Sequence, residues 1–422
     1  MKNSVFNKIL VFVFSGFISL NLLFTFVFGY GNIRASLSEN KAKFLNVNLS
    51  SSYFHDVFDS LEEAFTKGVF MRENYIDLYG GLQRATGKSI IWGDDSNKTI
   101  MIGSDGKLYP SGNITMNFSD YSVDEEMLKS LVKKTRDLGS FTKQNGSELF
   151  FFQAPARYDP DYVTLPIKIK DNGKENIDYM FNELKDDDNV CILNSQLLYK
   201  EQGIKFDDLF FKTDHHWNIK TAFWAYGEIC KALNEKGFGI DEFFYDINNY
   251  NIETIKNSYL GSLGANTGGL FLGYDDFDLI SPKFDADYTK EICKIQNQSI
   301  KKGGKIEYRG SYTEAVLSAY NDTKNNKTKI IFGTYVSSDR SEVVIRNNNS
   351  ATKKRALIIK DSFGLPVSAF LSTCFEEEII LDPRYHNDKT LYEYILDYKP
   401  DAVIIIYNPG TYNNTFFNFS GE

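Results

Sequence analysis

Close to the C-terminus the chain alternates without a break between short apolar runs and helical patterns. Ala356–Lys360 reads as a strand, Gly364–Phe375 as a helix, Glu378–Leu381 as a strand, Lys389–Tyr398 as a helix and Ala402–Tyr407 as a strand. Strands separated by helix-length segments run parallel and bury both faces under helices, the pattern of an open α/β sheet. The same signal appears earlier. A helix from about Val123 to Asn145 leads into Glu148–Gln153, whose Leu-Phe-Phe-Phe shows no polar alternation and so fits a strand covered on both sides. Lys174–Lys185 reads as a helix and Asn189–Leu193 as a further strand. In such sheets sites form at the carboxyl ends of the strands.

Between these two α/β stretches, residues 241 to about 349 are irregular and rich in Asn, Gly, Tyr and Lys. Short strand candidates lie at Lys305–Tyr308, Lys329–Phe332 and Glu342–Ile345. A β- or loop-rich insertion is expected there, inside a mostly parallel α/β domain spanning 96–422. Ahead of it, Thr99–Tyr109 reads as a hairpin around Ser104-Asp105-Gly106. A polar stalk over Asn32–Ser52, a helical lead-in over Val57–Lys88 and a strand-like Ser89–Trp92 fill residues 32–95.

Residues Ile9 to Tyr30 are almost wholly apolar, broken only by residues such as Ser15, Ser19, Asn21 and Thr25, and Lys2 and Lys8 precede them. Roughly 20 such residues span a bilayer, and a signal-peptide apolar region is shorter. Gly29-Tyr30-Gly31 makes a poor cleavage site. Residues 1–31 are therefore expected to form one N-terminal transmembrane helix, a single-pass anchor in the cell membrane, in preference to a cleaved signal that would leave a secreted protein. Positive charge on the short N-terminal side puts the rest of the chain outside the cytoplasm.

The net charge of −9, with Lys and Arg scattered in pairs, excludes a basic face for duplex nucleic acid. Aromatic residues make up 15% of the chain, which leaves room for a sugar-stacking cleft, although core packing accounts for most of them. The four cysteines (191, 230, 293 and 374) have no zinc-site spacing. Two disulfides could form outside the cytoplasm, but Cys230 and Cys374 sit in apolar helical patterns that suit plain buried thiols.

Two of the four histidines are adjacent, in Lys212-Thr213-Asp214-His215-His216-Trp217-Asn218. A helical pattern (Ile219, Ala222, Phe223, Tyr226, Ile229, Leu233) starts at once and Gly237 closes it. A carboxylate close to an imidazole at a helix N-terminus can fix the tautomer and stabilise the imidazolium. The nucleophile such a pair needs is available in Lys360-Asp361-Ser362-Phe363-Gly364, where a strand stops and a helix begins. A serine on that turn exposes its hydroxyl near backbone N–H groups, and Gly364 permits close backbone approach. The plainer alternative is that Asp361 or Ser362 only caps the helix.

Asp214-x-His216-Trp217-Asn218, followed far downstream by Asp361-Ser362-Phe363-Gly364, resembles the DHHW family, related to the alginate O-acetyltransferase group of SGNH-hydrolase-like proteins. Phe70 and Arg72, Ile102-Gly103-x-Asp105-Gly106-x-Leu108, Leu260-Gly261-Ser262 and Leu381-Asp382-x-Arg384-Tyr385 extend the likeness over about residues 50 to 410. The resemblance implies Ser362 as nucleophile, His216 as general base and Asp214 as the group that orients it. His215 competes with His216 for the base role, and the family pattern favours His216. Where many SGNH hydrolases carry Gly-Asp-Ser, this chain has Lys360-Asp361-Ser362.

Around these three, Trp217 can pack beneath the loop or stack on a sugar, and packing is the commoner use. Asn218 can cap the helix or donate to the site. Gly364 and Asn408, the latter just past Ala402–Tyr407, are candidates for oxyanion binding. Arg157 and Arg384 can bind substrate or make structural ion pairs. No cofactor and no metal is expected.

The resemblance implies an acetyl donor, passed across the membrane by a polytopic O-acyltransferase, and a polysaccharide acceptor outside the cell. An esterase of the same fold and a non-catalytic polysaccharide-binding or assembly factor are the alternatives. Asp-His-His also opens the metal signature of DHH phosphoesterases, but Trp217-Asn218 and the N-terminal apolar run argue against that reading.

Overall fold

The computed structural model describes residues 2–41, 44, 51–93, 99–111, 125–169, 171–284, 286–294, 305–317, 332–350, 352–385 and 389–421. The chain forms two compact units, Met1–Leu82 and Gln83–Glu422.

In the first unit the apolar run is helical over Lys2–Phe28, and its Val5–Phe28 portion is long and apolar enough to cross a bilayer. Part of the expected stalk is also helix, Tyr30–Glu39, because Ile33 and Ser36 bury against the next helix, Ser51–Gly68. The single helical lead-in expected over Val57–Lys88 is instead two helices, Ser51–Gly68 and Arg72–Ala85. The break falls at Val69–Met71, where Met71 turns left-handed (φ 58°).

The second unit opens with a three-stranded sheet: β1 (Ile90–Ile91), β2 (Ile100–Ile102) and β3 (Leu108–Pro110). The hairpin read from the sequence is the β2–β3 pair, with Met101 opposite Tyr109. The main sheet uses β4 (Glu148–Gln153), β5 (Val190–Asn194), β8 (Tyr288–Lys294), β9 (Ile306–Gly310), β10 (Glu342–Asn347), β11 (Arg355–Lys360), β12 (Glu377–Leu381) and β13 (Ala402–Tyr407). Its order is β5-β4-β13-β11-β12-β10-β8-β9. The five strands from β5 to β12 are parallel; β10, β8 and β9 continue the sheet antiparallel. Two further strands, β6 (Tyr250–Tyr259) and β7 (Asp275–Pro282), pair as a separate antiparallel ribbon. Among the described residues, the irregular segment thus contributes the five strands β6 to β10. The candidate strand Lys329–Phe332 lies largely outside the described residues, and Phe332 itself opens a short turn, Phe332–Thr334.

Both faces of the parallel strands are buried, which is why their sequences do not alternate. Leu149, Phe151, Leu357, Ile359, Val403 and Ile405 meet the helices Glu125–Gln144, Gly173–Leu184 and Leu391–Tyr398 through Leu131, Leu138, Leu184 and Ile395. Their neighbours of opposite parity, Phe150, Phe152, Ile358, Ile404 and Ile406, meet Ile219–Glu235 and Gly364–Leu371 through Ala222, Phe223, Tyr226, Val367 and Phe370. Those two helices follow the two sequence motifs, so packing on one sheet face sets the position of both. All four cysteines are free thiols; Cys230 and Cys374 are buried with their sulfurs 3.9 Å apart.

Ile404 is fully buried in β13, between β11 and β4. Ile404→Ala is expected to cost about 2–5 kcal/mol through lost burial and the cavity it leaves, read as a lower urea midpoint. A loss under 0.5 kcal/mol would contradict this packing.

Candidate active site

The parallel strands β11, β13 and β4 end on one edge of the sheet. Just past β11, Asp361 is 1% exposed, and its carboxylate accepts hydrogen bonds from the Phe363 N–H (2.7 Å), the Asn408 N–H (2.7 Å) and the Asn408 side-chain amide (2.5 Å). It therefore ties the turn holding Ser362 to the end of β13. Burial pushes its carboxyl up to about 6, against the pull of these N–H groups. Gly364 N–H closes the turn on the Asp361 carbonyl at 3.1 Å. A side chain at Gly364 would run into the Lys360 stem, 2.5 Å from an ideal Cβ, so glycine is required there.

The Asp214–Trp217 loop reaches this turn from the other motif. His216 Nε2 lies 2.7 Å from Ser362 Oγ, and its Nδ1 lies 2.9 Å from Asp214 Oδ1. With the proton on Nδ1 donated to the carboxylate, Nε2 is free to accept from the serine hydroxyl. Trp217 is fully buried; its indole N–H donates to the Phe363 carbonyl at 3.2 Å, tying the histidine loop to the serine turn. Asn218 caps the following helix, accepting from Thr221 N–H at 3.0 Å and donating to the Asp208 carbonyl.

Asp214 is enclosed by donors. Besides His216, it accepts from the Tyr259 hydroxyl, from Ser262 N–H and Oγ–H (3.3 Å each), and lies 2.9 Å from His215 Nδ1. Burial alone would raise its pKa, but the two imidazoles and their hydrogen bonds outweigh this and hold it well below the ordinary carboxylate range. Tyr259, raised by burial and by the Asp214 charge, stays a neutral donor. His215 bonds Ser262 Oγ at 2.9 Å, its ring centre lies 3.8 Å from that of His216 with the rings tilted at 38°, and burial, then the neighbouring His216 ring, lowers its pKa. Gly261 is needed because any side chain there would strike Asp214. Asp275, at the head of β7, accepts from both Lys212 and Thr213 N–H at 2.9 Å and so fixes the backbone just before Asp214.

Two aromatic rings flank His216: Phe332, stacked at 4.1 Å, and Phe363 at 5.1 Å. Ser362 is 7% and His216 8% exposed, so a narrow opening remains. A cavity of about 700 Å³ borders the same loop through Phe211, Lys212 and Asn218, but neither Ser362 nor His216 lines it.

The outlying candidates occupy structural positions. Arg157 donates to the Phe211 (2.8 Å) and Leu108 (3.0 Å) carbonyls and lies over the Tyr109 and Phe210 rings, locking the β2–β3 hairpin to the segment before the loop. Arg384 is held by Asp382 (2.6 Å) and Asp339 (3.0 Å). The same two carboxylates hold buried Lys360, at 3.1 and 2.7 Å. This pairing accounts for a lysine where a glycine is usual. Asn408 has its amide on Asp361, and Phe363 and Gly364 N–H are engaged as above. Among the described residues, the Ser362 N–H is the group at this turn that meets no acceptor. Asp214, His215 and His216 are close enough to share a cation, but their donor atoms are engaged with one another, with Ser262 and with Ser362.

Sequence reasoning missed Tyr259, Asp275, Phe332 and Asp339. Tyr259 directly precedes the Leu260-Gly261-Ser262 block, the one local signal available.

No protein-family model and no curated protein matches this chain. Among solved structures, Bacillus cereus PatB1 with a sulfonyl adduct is 22% identical, with 76% of this chain and 97% of that one covered and a TM-score of 0.59. A DHHW family protein from Eubacterium siraeum is 17% identical over 78% of this chain and 96% of that one, with a TM-score of 0.54.

Burial lifts the Asp339 carboxyl, but Lys360 and then Arg384 outweigh it and hold it low. Its pairing therefore stabilises the fold above the ordinary carboxylate range and is lost as pH falls below it. Lys360→Met should cost about 3–5 kcal/mol at pH 7, with a smaller deficit below about pH 4, where Asp339 protonates in the variant and in the unfolded chain while the intact pair keeps it ionised. Urea unfolding at both pH values checks this; an equal deficit at both would contradict the pairing. The likeness to the DHHW family read from the motifs thus holds at the level of fold: a mostly parallel α/β sheet carrying the Asp-His-His-Trp loop beside Ser362.

Proposed function

We propose that this protein is an acyl-transfer enzyme acting outside the cytoplasm, an O-acetyltransferase for an exported or cell-surface polysaccharide. The observation that carries the reading is the 2.7 Å approach of His216 Nε2 to Ser362 Oγ, with Asp214 behind Nδ1. In this scheme Ser362 Oγ attacks the acetyl carbonyl carbon as its proton passes to His216. The tetrahedral intermediate collapses, and the leaving group takes that proton. A sugar hydroxyl then gives its proton to His216 and attacks the acyl-enzyme, restoring Ser362. Ser362 N–H is the oxyanion donor at the turn.

Phe332 and Phe363 beside His216 favour transfer to a sugar over hydrolysis, because they limit water at the acyl-enzyme. PatB1 was solved with a sulfonyl adduct, which makes a sulfonyl reagent a probe worth trying on Ser362 here. Residues 1–31 serve as the membrane anchor, 32–95 as the lead-in and 96–422 as the domain that carries the chemistry. The acetyl donor is delivered by a polytopic membrane acyltransferase. A non-catalytic polysaccharide-binding role is the second reading. It is favoured by the engagement of Phe363 N–H, Gly364 N–H and the Asn408 amide with Asp361, which leaves few oxyanion donors.

The full chain in detergent should release p-nitrophenolate from p-nitrophenyl acetate faster when chitotetraose is present, and acetylated sugar should appear by mass spectrometry. Ser362→Ala and His216→Ala should remove both signals, and Asp214→Asn should slow release about 10⁴-fold. Acetate as the sole product would make the protein an esterase, and unchanged rates in all variants would leave the binding role.

A further inference from the structure

The first unit carries an exposed apolar stripe that the catalytic reading does not use. On Ser51–Gly68, Phe54, Phe58, Leu61 and Phe65 recur three or four apart, while Asp56, Asp59 and Glu63 occupy the opposite side. Phe54 is 48% and Phe58 68% exposed. On Arg72–Ala85, Tyr75, Leu78, Tyr79 and Leu82 form a second stripe with Glu73 and Asp77 opposite, and Leu78 and Leu82 are 58% and 57% exposed. Isolated exposed apolar residues are ordinary; two aligned stripes rich in aromatics are not.

Both stripes continue directly from the apolar N-terminal helix. Phe65 meets Phe26 (6.0 Å between ring centres), Phe70 meets Phe24 (5.2 Å) and Phe28 (5.5 Å), and Tyr75 meets Phe17 (6.1 Å). The polar interruptions of that helix have partners here as well. Thr25 Oγ accepts the Phe70 N–H at 3.0 Å, and the Asn21 amide donates to the Tyr75 hydroxyl at 2.6 Å. Gly29 and Gly68 bring the two backbones into contact, with no room for a side chain at either. Asn21 lies seven residues before the helix end at Phe28, so its contact with Tyr75 sits about 10 Å along the axis from that end. That distance matches the depth of roughly 5–10 Å to which an amphipathic helix buries its apolar face in a bilayer interface.

We propose that Ser51–Gly68 and Arg72–Ala85 lie in the lipid leaflet on the side of the C-terminal unit, with their aromatic stripes against the acyl chains. The inference rests on the anchor reading of residues 1–31 and is independent of the acyltransferase chemistry. The polar side of Ser51–Gly68 is acidic, so apolar contact and the covalent link to the anchor hold it to lipid, and anionic headgroups contribute nothing.

The test uses the full chain in phosphatidylcholine vesicles containing a doxyl-quencher lipid. An NBD label is placed on Phe58→Cys, Leu82→Cys, Asp59→Cys or Phe14→Cys, corrected for label taken up by the unsubstituted chain. Labels at 58 and 82 should show blue-shifted emission and be quenched by the doxyl lipid, equally with and without phosphatidylglycerol. The label at 59 should show neither effect. Quenching at 14 without quenching at 58 and 82 would mean that water or another protein covers the stripes, and the inference fails while the anchor stands. No quenching at 14 would remove the anchor and the inference with it.

Discussion

A carboxylate buried as deeply as Asp214 is tolerable only when its lone pairs are filled, and the architecture around it is arranged to fill them. Donors converge from the loop itself (His215, His216), from the end of β6 (Tyr259) and from the start of the short helix at Ser262. Gly261 gives it space, and Asp275 fixes the backbone before it. Without this enclosure the His216 ring would lose its fixed tautomer and its aim at Ser362. The ribbon β6–β7 and the segments around it are therefore the other half of the site, holding what the parallel sheet alone cannot.

The serine side depends on a second buried carboxylate. Asp361 draws the Ser362 turn and the end of β13 together, and Trp217 fastens that turn to the histidine loop. The two buried acids have opposite shifts for a physical reason. Asp214 touches two imidazoles, which favour its charge, whereas Asp361 has N–H groups and a more distant Arg384 that together do not offset burial. The first is suited to steadying a cation that forms during a reaction, and the second to holding a backbone in place.

The parallel strands were legible because burial on both faces removes alternation, leaving runs such as Phe150-Phe151-Phe152 and Val403-Ile404-Ile405-Ile406 that fit no exposed element. The histidine loop was legible through its rarity, and Ser362 through its place between a strand and a helix. The partners of Asp214 and His216 were not. Tyr259 sits on a strand with a register irregularity between Ile255 and Tyr259, and Phe332 and Asp339 reach the site from far along the chain. Nothing local marks them, because their roles exist only once the sheet has extended through β10, β8 and β9. The lysine at 360 looked like a departure from the motif and became intelligible only with Asp339 and Asp382 beside it. Asn408 was placed correctly at a strand end, but only the folded chain shows its amide turned towards Asp361.

The central claim is that Ser362 becomes a nucleophile because His216 can take its proton. The most direct measurement is peptide mass spectrometry of the full chain after a short exposure to p-nitrophenyl acetate and an acid quench. The account predicts one acetyl group on the peptide carrying Ser362, absent from that peptide in His216→Ala. Acetylation spread over lysines alone, or an unchanged Ser362 adduct in His216→Ala, would contradict it.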